Sequence, residues 1–201
     1  KLRTEIVRRG YELGVHGLRH DGKMFVSRNI FDKRAQRINT YLGEWNAKGF
    51  SSPSMHHNLS WMHALKITYD ISTFDTDPFE PQPDGVQTIF PFIVREAETK
   101  RSYIELPYTL PQDFTLFVLM REKDISIWKK KIDWIAGCGG MALANIHPDY
   151  LNFSGRPRLD GMEYPVDLYI ELLDYILSKY GNDCWRPLPI ELARYYAGLY
   201  S

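Results

Sequence analysis

Gly14-Val15-His16-Gly17-Leu18-Arg19-His20-Asp21-Gly22 sets the reading of the whole chain. Two histidines stand four residues apart, framed by glycines, directly after a segment of helical periodicity. One helical turn there would put both imidazoles on the same face. Two converging imidazoles suit a divalent transition metal such as zinc, which accepts neutral His nitrogens and in catalytic sites keeps a position open for water. The glycines let the backbone turn sharply and a ligand come close. The same residues read equally as a polar loop with two surface histidines, because a structural zinc takes four ligands and this stretch offers two.

Working outward, residues 2–13 read as a helix, with Leu2, Ile6, Val7 and Leu13 broadly on one face, and Val15 as the end of a short buried strand. The clearest helix covers 30–45, where Phe31, Ala35, Ile38, Leu42 and Trp45 recur at steps of three and four, with Gly49 as its expected stop. An extended piece at 50–55 is broken by Pro53, and Asn58 caps a short helix through Leu65. Strands are expected at 67–74, 88–94 and 103–106, with a loop at 75–85 holding Pro78, Pro81 and Pro83. The run 113–120 is apolar but too short to assign to strand or helix. Asp124 caps a helix over 125–135 with Trp128, Ile132 and Ile135 inward, and Gly139-Gly140 breaks it. Residues 141–146 read as a buried strand ending at His147-Pro148. Pro165 opens a helix over 166–180, and Pro189 starts the last one.

Strands separated by helices, with no repeat and no linker, make residues 1–201 a single α/β domain in this reading. Polar residues follow several strand ends: His16 and His20, Ser51, Asp75 and His147. A barrel of parallel strands gathers its site at such ends. The balance of 25 basic and 25 acidic residues argues against nucleic acid held by a general electrostatic field. No run of 18 apolar residues offers a membrane segment, so the chain as given is expected to be soluble, with its compartment open. Cys138 and Cys184 do not reveal whether they pair.

Four stretches taken in order resemble the polysaccharide deacetylase family, the NodB-type carbohydrate esterases. Gly14 to His20 is similar to that family's metal motif of two histidines separated by three residues. Gly49-Phe50-Ser51-Ser52-Pro53 is similar to its Phe-Arg-x-Pro motif. Tyr69-Asp70-Ile71-Ser72-Thr73 is similar to a Tyr-Asp-x-Ser-Thr stretch of some branches, and Leu143-Ala144-Asn145-Ile146-His147-Pro148 to the last motif, an apolar strand ending in His-Pro. The resemblance covers roughly residues 2–151. It implies a distorted or incomplete (β/α) barrel and metal-dependent removal of acetyl groups from an acetylated glycan. By that resemblance His16 and His20 bind the metal, most simply zinc, and His147 protonates the leaving amine or alkoxide, work that suits an imidazole. Two departures stand out. The family's strand with an aspartate pair falls ahead of residue 1, and Ser51 occupies the place of an arginine that would orient the base, a contact serine cannot make. A barrel without that strand has an unpaired edge, which invites a homo-oligomer.

Other residues are weighed on their own chemistry. His56 and His57 point to opposite faces in extended backbone, so one of them, His57, is the candidate to line a site. Asp70, Asp75 and Asp77 cluster at a strand end, where they would hold a metal or sugar hydroxyls, or form a turn before Pro78. Glu105 stands at a strand end where a carboxylate would reach a cleft. The substrate-binding candidates are therefore Ser51, Pro53, His57, Asp75 and Glu105. Lys129-Lys130-Lys131 reads as a solvated helix face, and Trp61 and Trp128 as core. Three functions stay open: a metal-dependent glycan deacetylase, a hydrolase of a small non-sugar amide on the same barrel, and a barrel that binds a ligand or partner without turnover.

Overall fold

The computed structural model describes residues 2–75, 79, 84–97, 99–156 and 161–200. Asp77, Pro78, Pro81 and Pro83 lie outside the described residues. In chain order the elements are α1 (Leu2–Arg8), β1 (Gly14–Val15), α2 (Arg28–Glu44), β2 (Gly49–Phe50), β3 (Tyr69–Asp70), β4 (Phe92–Arg95), β5 (Ser102–Glu105), α3 (Ser126–Gly137), β6 (Leu151–Asn152), β7 (Tyr164–Pro165), α4 (Val166–Tyr180) and α5 (Pro189–Gly198). Short 3-10 turns and a π-helical segment, Phe114–Leu119, fill part of the remainder. The chain divides into two compact units. One holds residues 1–73, 90–107 and 187–201, and the other residues 74–89 and 108–186.

The first unit is built on a five-stranded sheet in the order β1-β2-β3-β5-β4. Four of its strands run parallel, and β4 is antiparallel to β5. This is the α/β class with parallel strands. The sheet is open, with β1 and β4 as its two edges, and does not close into a barrel. Helix α2 makes the crossover from β1 to β2, as parallel strands require. Ser27 caps it by accepting from the Ile30 N–H at 3.3 Å. Its buried stripe is Phe31, Ala35, Ile38 and Leu42, packed with Val15, Phe50, Met62, Leu65 and Tyr103. Full burial of each large side chain there contributes about 1.5–3 kcal/mol.

Several expectations change in this unit. Helix α1 stops at Arg8, where the Gly10 and Tyr11 N–H groups turn back to the Val7 and Ile6 carbonyls. Gly49 does not stop α2. The helix has already ended, Asn46 makes the left-handed turn at φ 51°, and Gly49 is a strand residue. Its lack of a side chain has a packing cause: a Cβ there would sit 2.1 Å from the Tyr69 ring. The Asn58 cap is present, accepting from Trp61 N–H at 3.1 Å ahead of the short turn Trp61–Ala64.

In the second unit, α3, α4 and the π-helical segment enclose a core of Leu116, Phe117, Trp128, Ile132, Ile135, Tyr164 and Leu172. Trp128 is wholly buried and gives its indole N–H to the Pro111 carbonyl at 2.7 Å. The ambiguous run 113–120 is thus helical. Strands β6 and β7 form a small parallel pair that the sequence did not suggest. Residues 141–146, expected as a buried strand, form no strand: they are half-buried, with Ala142 exposed. Their backbone groups pair with Ile89, with Thr109 through both its backbone and its hydroxyl, with Leu110 and with Asp113. Among the described residues no helix is long and apolar enough to cross a membrane.

Candidate active-site residues

Two groups of functional side chains emerge, one in each unit. In the first unit, β1 delivers His16 just past its last residue. The His16 Nδ1 lies 3.1 Å from the Ser51 carbonyl oxygen. A carbonyl only accepts, so Nδ1 carries the hydrogen and Nε2 is the nitrogen with the lone pair. The His16 and His20 rings are 5.8 Å apart between centroids and tilted by 51°. They approach without the helical turn that their spacing suggested. Gly17, between them, has φ +63°, and any Cβ on it would meet the Pro53 ring at 2.7 Å. Pro53 is therefore part of the wall beside His16. It opens a turn in which Ser54 and Met55 both take left-handed conformations, at φ 56° and 57°. Side chains rarely adopt that region, so the turn stores strain beside the histidine loop.

Asp21, the carboxylate next to His20, is taken up elsewhere. Arg34 of α2 grips it with two bonds of 2.7 and 2.8 Å and holds its carboxyl far below the usual range. The histidine pair supplies two neutral ligands, where a catalytic zinc takes three protein ligands. Among the described residues no three His, Cys, Asp or Glu side chains gather closely enough to hold a metal ion.

The other candidates of this unit take different positions. Ser51 has its hydroxyl 3.5 Å from the Ile71 carbonyl, so what it presents to His16 is its backbone oxygen. His57 has Nδ1 2.9 Å from the Met55 carbonyl. Glu105 does not reach a cleft. It is completely buried, and its Oε1 accepts from Ser72 and Thr73.

In the second unit, His147 is joined to an acid that sequence reasoning missed. Its Nδ1 is 2.6 Å from Asp113 Oδ1, and its backbone N–H donates to Asp113 Oδ2 at 2.7 Å. Asp113 is wholly buried and also accepts from the Phe114 N–H at 2.8 Å and the Tyr164 hydroxyl at 3.0 Å. The Tyr164 hydroxyl is pushed far up by burial and then by the Asp113 charge, which keeps it a donor. The His147 ring sits beside Tyr150 with centroids 5.2 Å apart, and its side chain remains 36% exposed. Asp113 thus holds Nδ1 as the protonated nitrogen and leaves Nε2 to exchange a proton outside. The one sequence signal for Asp113 was its place at the head of an apolar run, which reads as a cap. It does cap, and it orients His147 as well.

Asp75 also lies in this unit. It is buried and bonded to Lys131 at 2.8 Å. That corrects the reading of Lys131 as part of a solvated lysine face: the α3 stripe turns this one lysine inward to meet a buried carboxylate, which needs a partner. Cys138 and Cys184 are both free thiols.

This α/β fold is similar to that of solved structures described as polysaccharide deacetylases and as an allantoinase. A Mycobacterium smegmatis protein assigned as a polysaccharide deacetylase superposes with a TM-score of 0.71 at 16% identity, over 98% of this chain and 66% of that one. The Puue allantoinase gives 0.70 at 16% identity, over 99% of this chain and 63% of its own. A Pseudomonas aeruginosa PAO1 protein assigned as a polysaccharide deacetylase gives 0.66 at 14%, over 99% and 63%. The chain therefore spans about two thirds of the length of the proteins it resembles. No protein-family model and no curated protein sequence matches it.

Proposed function

We propose that the chain is part of a hydrolase that removes acetyl groups from an acetylated glycan or amino sugar. The observation that carries this reading is the bond of 2.6 Å between Asp113 and His147 Nδ1. A buried carboxylate that fixes one imidazole nitrogen leaves the other to give a proton to a departing amine or alkoxide. Asp113 stays bonded to Nδ1 through the step and steadies the imidazolium that gives the proton. His16 and His20 would hold a divalent metal, zinc by its preference for imidazole, as two of its ligands. Such a metal, when bound, lowers the pKa of a coordinated water and polarises a carbonyl. The chain's own part there is to hold the hydrogen on His16 Nδ1 through the Ser51 carbonyl, which makes Nε2 the ligating nitrogen. Pro53 and His57 would border the acyl group, and Ser51 would meet it through its hydroxyl.

A second reading is hydrolysis of a small non-sugar amide. It is favoured by the fold likeness to the allantoinase, nearly equal to that with the deacetylase-assigned protein. Acetate release from acetylated chito-oligosaccharides, measured beside ammonia or amine release from linear and cyclic amides, separates the two. The deacetylase reading expects acetate release that His147→Ala and Asp113→Asn both lower strongly. Turnover of amides alone would select the second reading. Turnover of neither, with glycan still bound, would leave a binding module.

A further inference from the structure

Asp70 on β3 and Glu105 on β5 stand directly opposite each other in register across two parallel strands. Both are completely shut off from solvent. Among the described residues, the N–H and O–H groups that donate to them belong to Ser72 and Thr73. Ser72 gives its backbone N–H to Asp70 Oδ2 at 3.0 Å and to Glu105 Oε1 at 3.1 Å, and its hydroxyl to Asp70 Oδ1 at 2.8 Å. Thr73 gives its N–H and its hydroxyl to Glu105 Oε1 at 3.0 and 2.8 Å. Among the described residues, Glu105 Oε2 receives no hydrogen bond from an N–H or hydroxyl donor.

Two ionised carboxylates side by side in a dry interior lose their hydration and repel each other. The economical escape is one proton held between them, which turns repulsion into a hydrogen bond. Burial, and then the charge of Glu105, drives Asp70 well above the usual carboxylate range. Burial also raises Glu105, against the opposing bonds from Asp70, Thr73 and Ser72 and the charge of His57. The other titratable groups around the pair do not neutralise it. Tyr103 is itself driven far up by burial and by the two acids, and His63, against the Tyr103 ring, is pushed down by burial. Helix α5, packed on β3 and β5, brings Tyr196 half-buried, with Glu191 and Arg194 exposed. Strand β4 brings Arg95, also exposed.

The pair reaches His16 through one peptide plane. The Ser72 hydroxyl, fixed by Asp70, accepts from the Ser52 N–H at 2.8 Å. The carbonyl of that same peptide belongs to Ser51 and accepts from His16 Nδ1 at 3.1 Å. A peptide unit is rigid and planar, so anchoring its N–H edge aims its C=O edge. We propose that Asp70 and Glu105 share one proton and serve as a positioning pair, aiming the Ser51–Ser52 peptide that selects the His16 tautomer. The role at His16 deepens the function proposed above and rests on it; the shared proton does not.

The test uses the whole chain without substrate, so failure of the hydrolase reading leaves it intact. Infrared spectra at neutral pH, compared among wild type, Glu105→Gln and Asp70→Asn, should show a protonated carboxyl C=O stretch that either amide removes. Glutamine returns the hydrogen that the proton supplies, so Glu105→Gln carries the test if Asp70→Asn fails to fold. Unfolding equilibria give a second readout. The folded pair keeps a proton that carboxylates of pKa about 3.9 and 4.3 have lost in the unfolded chain. Stability therefore falls as pH rises above that range, until the folded pair itself ionises. Across that window the unfolding constant of wild type relative to Glu105→Gln should rise about tenfold per pH unit. No carboxyl band and a pH-independent ratio would overturn the shared proton. Ser72→Ala isolates the positioning role. Nitrogen-15 shifts should report a mixture of His16 tautomers in it, while the carboxyl band remains. An unchanged His16 tautomer in Ser72→Ala would overturn the positioning role.

Discussion

His147 has its Nδ1 2.6 Å from a carboxylate that solvent does not touch, whereas His16 has its Nδ1 3.1 Å from a backbone carbonyl, with the His20 ring 5.8 Å away. The first arrangement is charged and saturated. Asp113 collects bonds from two backbone N–H groups, an imidazole and a phenol. The second rests on a backbone carbonyl, and the neighbouring Asp21 carboxylate is bound to Arg34. The difference teaches that one imidazole is oriented by a buried carboxylate and the other by a backbone carbonyl.

The largest effect should come from breaking the saturated side. His147→Ala is expected to lower turnover by roughly 10²–10⁴, the usual contribution of a positioned acid or base. Bound zinc should stay the same by elemental analysis. Loss of zinc with the activity would make His147 a ligand and erase the contrast.

A second substitution probes what supports the His16 side. Ile38 is wholly buried in the α2 stripe behind β1. Ile38→Ala should cost about 2–5 kcal/mol of stability in urea unfolding, for the lost burial and the cavity left behind. A cost under 1 kcal/mol would mean that α2 does not hold the strand that carries His16.

Arg34→Ala sharpens the contrast by releasing a charge. It frees the Asp21 carboxylate, whose acidity Arg34 now enforces. Zinc titration calorimetry should show tighter binding than in wild type, because a third and negative ligand becomes available beside His20. Equal or weaker affinity would show that Asp21 has no access to the pair.

Part of this was legible in the sequence and part was not, for physical reasons. Helix α2 was clear because Phe31, Ala35, Ile38 and Leu42 repeat with the helical period. His16, His20 and His147 stood out because glycine and proline frame them. Asp113 did not: an acid before an apolar run is ordinarily a cap, and its second role depends on a residue 34 positions later. Asp70 and Glu105 were both noticed as strand-end acids, but their encounter depends on the register of β3 against β5, which local sequence does not encode. Lys131 was lost in a lysine run, since only the direction of the α3 face turns it toward Asp75. Contacts within one element are local and periodic; those between distant segments are fixed by topology.

The smallest effect we expect comes from Tyr164→Phe, which removes one donor from the saturated side and keeps the ring. Tyr164 packs against Phe117 with centroids 4.7 Å apart, so phenylalanine preserves the aromatic contact. Asp113 Oδ2 then keeps only the His147 N–H, and Oδ1 keeps the Phe114 N–H and His147 Nδ1. A buried carboxylate that loses one of four bonds should cost about 1–3 kcal/mol of stability. The bond to Nδ1 is untouched, so the His147 tautomer should persist in nitrogen-15 spectra. Because the dyad orients the acid and does not bind substrate, kcat should fall several-fold with KM nearly unchanged. A rise in KM alone would make the Tyr164 hydroxyl a substrate contact. A fall in kcat as deep as that of His147→Ala would mean that Asp113 needs all four bonds to hold the imidazole, and that the saturated side is as fragile as the His16 side.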